Sequence, residues 1–178
     1  RRVLFRSLHT AEKALLEKGD SVTFIDVSSI VFKPCVGCMA CRSKGSCLLP
    51  QDDAHSIAEE IKNCDGIIAG SPVYWGNING QLKCLFDRLV ASMMGESKLG
   101  LPLPLHKGKK AVIITSCTTP FPFNILATQT TKAEKALKEI LGYSGFKVTR
   151  KIRLAGTKGM KEVPESALKK ARKCAKTF

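Results

Sequence analysis

The chain has 178 residues, 44% of them apolar and 25% charged, a balance that sets aside disordered, collagen-like and fibrous classes and leaves room for one core. Its longest apolar runs, 66–69 with 71–75 and 111–114, fall far short of a bilayer span, and Arg1-Arg2-Val3-Leu4-Phe5 lacks the long apolar stretch of a secretory signal. One cytoplasmic domain over residues 1–178, with no membrane segment, is the expectation. There are 29 Lys or Arg against 15 Asp or Glu, a net charge of +14, and residues 132–178 alone hold 14 basic against 4 acidic residues. That end is a basic face, which attracts phosphates in general or simply keeps the surface solvated.

In chain order, Val3-Leu4-Phe5 reads as a short strand, Leu8, Ala11 and Leu15 as an amphipathic helix stopped at Lys18-Gly19, and Ser21–Val27 as a second strand. A cysteine-rich loop at 33–48 follows. Asp52 or Asp53 caps a helix with Ala54, Ile57, Ala58, Ile61 and Cys64 on its apolar face, and 65–70 reads as a buried strand. Asn79 opens a helix that buries Leu82, Leu85, Phe86, Leu89 and Met93; a Gly/Pro-rich loop runs from Gly95 to Gly108. A strand at 110–115, a helix with Ala133, Ala136, Leu137, Ile140 and Leu141 facing in, an edge strand at 146–154 and a last helix opened by Pro164 complete the pattern. Five strands alternating with five helices predict an α/β doubly wound five-stranded parallel sheet in a three-layer sandwich, with ligands bound beyond the carboxyl ends of the strands.

The loop after the third strand, Ser71-Pro72-Val73-Tyr74-Trp75-Gly76-Asn77-Ile78-Asn79-Gly80, puts the only Trp and one of two Tyr at that crevice. Pro72 stiffens the exit, Gly76 and Gly80 permit close backbone approach, and the aromatic pair offers a wall suited to a flat heterocycle or to covering the sheet edge.

The run SPVYWGNINGQLKCLFDRL, Ser71 to Leu89, resembles the flavin-binding segment of flavodoxin-like NAD(P)H-dependent FMN reductases, in particular their iron-sulfur flavoprotein branch. Thr115-Ser116-Cys117-Thr118-Thr119-Pro120, the Gly145–Val148 strand and the cysteine block before Asp52-Asp53 extend the resemblance over most of the chain. It implies that Ser71, Pro72, Val73, Tyr74, Trp75, Gly76 and Asn77 cradle FMN and that Thr115, Ser116, Cys117 and Thr118 approach its ring from the other side. The family's phosphate loop follows the first strand, whereas here Phe5 is followed by only Arg6 and Ser7, a departure that leaves the phosphate contacts unassigned. Asp87 and Arg88 match an Asp-Arg pair of the family and are read as a structural ion pair or exposed helix charges, without chemistry.

Cys35, Cys38, Cys41 and Cys47 have the spacing C-x2-C-x2-C-x5-C, with Gly37 and Gly45 between them. Thiolates so close suit a [4Fe-4S] cluster, as the iron-sulfur flavoproteins carry; zinc, or free redox-active thiols, are the alternatives. Cys64, Cys84 and Cys174 lie on apolar helix faces and read as core, and packing is the first reading of Cys117 also. His9, His55 and His106 make no metal or triad spacing.

The resemblance implies an oxidoreductase that moves electrons from NAD(P)H, as cosubstrate, through FMN to a small-molecule or protein acceptor, directly or through the cluster, with no side chain required as acid or base. A homodimer or homotetramer is expected. Two rivals are an electron-transfer flavoprotein fed by ferredoxin and a basic nucleic-acid-binding domain, the second resting on charge alone and with no specific nucleic-acid motif.

Overall fold

The computed structural model of the chain describes residues 2–178. Its elements are α1 (Arg2–Lys18), α2 (Ala40–Lys44), α3 (Asp53–Asn63), β1 (Gly66–Pro72), α4 (Gly80–Arg88), α5 (Val90–Met93), β2 (Met94–Glu96), β3 (Pro102–Pro104), β4 (Lys110–Ser116), α6 (Phe123–Leu126), α7 (Gln129–Tyr143), β5 (Lys147–Leu154), α8 (Glu165–Arg172) and a closing 3-10 turn, Lys173–Thr177. Strands β1, β4 and β5 form a parallel sheet in the order β1-β4-β5, with Ser71 opposite Thr115 and Pro72 opposite Ser116.

The central strand explains the layering. Side chains alternate across a strand, and in β4 Ala111 and Ile113 enter one core while Val112 and Ile114 enter the other, all four fully buried. The first core takes Ala54, Ile57 and Ile61 of α3, Leu85 and Phe86 of α4, and Ala133, Leu137 and Leu141 of α7. The second takes Val3, Leu4 and Ala11 of α1 and Ala171 of α8. Helices therefore cover both faces, as a parallel sheet requires. Part of the basic charge of the chain's last third falls on β5, the edge strand, where exposed Lys147, Arg150 and Lys151 discourage pairing with another chain.

Two expected strands are not strands. Val3-Leu4-Phe5 lies inside α1, because Val3, Leu4, Ser7, Ala11 and Leu15 are all buried and continue one helical stripe from residue 3 to residue 15. Residues 21–26 take no regular structure and Val27 begins a turn; Ile25 and Val27 pack against the first core, but no ladder forms there. Alternation supplies the faces of a strand and not its partner: the free edge of β1 carries no strand among the described residues. The parallel sheet thus has three strands among the described residues, not five. The stretch 95–108 contains the antiparallel β2-β3 ribbon, with Gly95 opposite Leu103.

Gly145 lies at φ +97°, where a Cβ would stand 2.9 Å from Lys107 N and 3.0 Å from the His106 carbonyl carbon. His106 itself is buried, stacked on Phe146 at 4.6 Å and bonded to the Ser92 carbonyl at 2.8 Å. Gly145→Ala is expected to lower the urea midpoint by an amount equivalent to roughly 2 kcal/mol, from backbone strain and this contact; an unchanged midpoint would show that the turn into β5 is not constrained as described.

Candidate functional site

Two constellations stand out, one at the carboxyl ends of β1 and β4 and one in the cysteine loop. At the first, Ser71 is fully buried; its hydroxyl donates to the Pro72 carbonyl at 2.8 Å and accepts the Asn79 N–H at 2.9 Å. Asn79 then caps α4, its side chain accepting from Gln81 N and Leu82 N, as expected of Asn at that position. The chain between is a tight turn: Tyr74 and Asn77 exchange backbone hydrogen bonds of 3.0 and 2.9 Å, while Trp75 and Gly76 take φ +52° and +71°. Two successive positive φ values identify a type I′ turn, and a tryptophan at such a position is uncommon.

The aromatic faces are uncovered. Trp75 has 103% of its reference accessibility and Tyr74 56%. The Val73 N–H donates to the Ser116 carbonyl at 2.8 Å, so this turn leaves the sheet directly beside the end of β4. There Thr115, Ser116 and Cys117 are buried, Thr118 is exposed, and the buried Thr115 Oγ1 has no hydrogen-bond partner. Cys117 donates to Gln129 Oε1 at 3.1 Å and Thr119 to the same oxygen at 2.7 Å. A Cβ on Gly76 would meet Lys132 Cδ and Gln129 Cα. The start of α7 thus joins the two loops. Gln129 and Lys132 were invisible in sequence, where a lone Gln and Lys at a helix start carry no signal.

Residues 71–77 and 115–118 therefore meet, as expected, with the Cys117 side chain turned into the protein. What the structure offers there is an uncovered flat wall, backbone groups and a buried spare hydroxyl, a donor set that fits an aromatic ring. Phe5 and Arg6 are consecutive residues within α1, with no strand-to-helix loop between them, so the phosphate contacts stay unassigned.

In the second constellation Cys35 and Cys38 are exposed and Cys41 and Cys47 half-buried. Positive φ at Gly37 (+67°), Met39 (+59°) and Gly45 (+69°) bends the chain between them, and the Gly37 N–H points to the Cys35 sulfur at 3.5 Å. The thiol of Cys41 is pushed above its ordinary pKa, first by burial and then by Cys35, Cys47 and Cys38. Among the described residues no three His, Cys, Asp or Glu converge on one point as ligands of a single metal ion. In donor chemistry, four thiols within 13 residues, two of them open to solvent, suit a group held by several irons, one thiolate to each. Arg42 pairs with Glu96 of β2 at 2.9 Å and ties the loop to the ribbon; a small cleft beside Cys41 is lined by Val90 and Met94.

Arg88 corrects the sequence reading. Asp87 pairs with Lys83, whereas the Arg88 side chain is 1% exposed and forks onto Asp52, with Nη1 2.8 Å from Oδ2 and Nη2 3.1 Å from Oδ1. Asp52 also caps α3, accepting from Ala54 N, and accepts the Lys33 N–H at 3.1 Å; its own N–H is taken by His55 Nδ1 in a capping box. Burial pushes the Asp52 carboxyl up, but the Arg88 and backbone hydrogen bonds outweigh it and hold the pKa at about 2. A carboxylate depressed in the folded state stabilises above its unfolded pKa and loses that contribution as pH falls through the folded value. Relative to Asp52→Asn, the parent chain is expected to lose roughly 2 kcal/mol between about pH 4 and pH 2; parallel stability curves from urea unfolding would contradict the assignment.

A family model described as flavodoxin-like fold matches residues 4–178. An iron-sulfur flavoprotein of Methanocaldococcus jannaschii is 42% identical over 78 residues, 44% of this chain and 40% of the relative. Another from Methanosarcina thermophila is 42% identical over 74 residues, 42% of this chain and 38% of the relative. The matched stretches span about two fifths of the length of these relatives. Among solved structures, an FMN-dependent NADH-azoreductase from Bacillus anthracis in complex with FMN superposes with TM-score 0.75 at 16% identity, covering 98% of this chain and 90% of the other. An NAD(P)H:quinone oxidoreductase from Methanothermobacter marburgensis gives 0.70 at 19%, covering 96% and 86%. At such identities the likeness is one of fold. With helices on both faces of a parallel sheet and a family match over all but the first three residues, this chain belongs to the flavodoxin-like fold family.

Proposed function

We propose that the chain is an FMN-binding oxidoreductase that passes electrons from NAD(P)H to an acceptor, with a [4Fe-4S] cluster on Cys35, Cys38, Cys41 and Cys47. The observation that carries the reading is the Tyr74–Asn77 turn: a fully exposed Trp75 in a left-handed backbone conformation, fixed beside the end of β4. Exposure of a large aromatic face and strained backbone are both costs that a bound ring offsets. The names of the curated relatives, iron-sulfur flavoproteins, and the FMN complex of the azoreductase with the same fold support the choice of cofactors.

When bound, FMN supplies two-electron exchange with a pyridine nucleotide, and a cluster supplies one-electron transfer. The chain's own part is orientation. Tyr74 and Trp75 present the ring wall, the buried Ser71 hydroxyl fixes the start of the turn through Asn79, and Ser116 holds Val73 in place. Thr115 Oγ1 and Thr118, at the end of β4, are the side-chain groups left for polar contacts. No residue of the crevice is needed as a general acid or base.

The chain acts as a homodimer or homotetramer in this reading. Phe121, Phe123 and Leu126, 73%, 61% and 72% exposed, extend the apolar surface next to the crevice, a surface suited to a second copy and to the covering of a cofactor. Sedimentation at micromolar concentration is expected to show the assembly, and a monomer would contradict it.

FMN titration followed by anaerobic mixing with NADPH tests the reading. The parent chain is expected to bind FMN tightly and to bleach rapidly, and Trp75→Ala to weaken binding roughly tenfold, about 1.4 kcal/mol. Tight binding with hardly any bleaching supports the ferredoxin-fed carrier instead, and absence of FMN binding overturns both.

A further inference from the structure

The cysteine loop is closed by bonds made outside it. Val31 and Asp53 exchange two of them: the Val31 N–H donates to Asp53 Oδ2 at 2.6 Å and the Asp53 N–H to the Val31 carbonyl at 3.3 Å. Lys33 N–H donates to Asp52 at 3.1 Å. Arg88 then reaches both sides of this neck, donating through Nη1 to the Lys33 carbonyl and to Asp52 Oδ2, and through Nη2 to Asp52 Oδ1. Lys33 and Asp52, 19 positions apart, are thus held by one guanidinium.

Helix packing alone does not call for this. A buried guanidinium is costly, and an apolar residue at the end of α4 would pack without compensation. The geometry is that of a clamp: one side chain, 1% exposed, bridges the residue just before the four cysteines and the carboxylate just after them.

We propose that Arg88 is the positioning residue of the cysteine loop, fixing its two ends through Lys33 and Asp52 so that the four cysteines are presented together. The proposal rests on the reading of the four cysteines as cluster ligands. Groups that hold the ligands of a metal centre in place set its affinity. Lysine at this position keeps the charge and loses the fork, so Arg88→Lys separates the electrostatic role in folding from the positioning of the loop.

The test uses the full chain and its Arg88→Lys and Arg88→Met variants, reconstituted anaerobically with ferrous iron and sulfide without pyridine nucleotide. Iron and sulfide per chain, the electron paramagnetic resonance of the reduced protein and its midpoint potential are read, with thermal unfolding by circular dichroism as the folding control. The expected result is a folded Arg88→Lys chain whose metal affinity falls roughly 10- to 100-fold, with a shifted potential in the cluster that remains. Parent-like iron content and potential in folded Arg88→Lys overturn the positioning role alone. A parent chain that takes up no iron overturns the cluster reading, and this role with it. If both variants fail to fold, hydrogen exchange of the parent decides: slow exchange of the Val31, Lys33 and Asp53 amides supports a clamped neck, and exchange as fast as that at 35–38 overturns it.

Discussion

A guanidinium withdrawn from water has to be paid back by fixed acceptors, and Arg88 is withdrawn almost completely. Its acceptors come from two places in the sequence: the backbone before the cysteine loop and the carboxylate after it. Asp52 is in turn committed to the first turn of α3. One buried charge therefore joins the end of α4, the start of α3 and both ends of a loop whose own residues are largely exposed. Four cysteines in a solvent-facing loop would otherwise have little to hold them in register, since α2 is a single turn with none of its residues buried.

The crevice obeys a different constraint. The register of β1 against β4 puts Pro72 opposite Ser116, so both strands release their chains at the same level and the two loops have to share the space beyond. Ser71 closes one of them onto the cap of α4, and Gln129 gathers Cys117 and Thr119 of the other. The Trp75 turn is held from below by these bonds while its aromatic face remains free. Helix α4 runs from this turn to Arg88, a rise of about 13 Å, and so connects the two constellations through a rigid element.

Much of this was legible beforehand, for identifiable reasons. β4 is a short apolar run buried on both sides, β1 sends Ile67 and Ile68 to the two cores, and the faces of α3, α4 and α7 repeat at helical spacing, so period and burial agree. Asn79 and Asp52 announced their helices because capping is a local interaction. The failures were of two kinds. Val3-Leu4-Phe5 could serve a strand or the first turn of a longer helix, and the stripe through Ser7, Ala11 and Leu15 decided for the helix. Residues 21–27 have the alternation of a strand, but a ladder depends on a neighbour that a local pattern does not report. The role of Arg88 was hidden for a similar reason. Next to Asp87 it looked like half of an ion pair, whereas its partner lies 36 positions away. The cysteine spacing was visible at once, and the clamp that closes the loop around it was not.

In the proposed function, one chain carries both a wall for flavin and a cysteine loop for a cluster. The visible spectrum of protein purified without oxygen and reconstituted with FMN, iron and sulfide, together with iron and flavin per chain, tests it most directly. Flavin bands over a broad iron-sulfur absorption, about four irons and one flavin per chain, and loss of the broad absorption alone in Cys38→Ala are the predicted result. Flavin bands without iron would contradict the claim for the cysteine loop, and a colourless protein would contradict it for both sites.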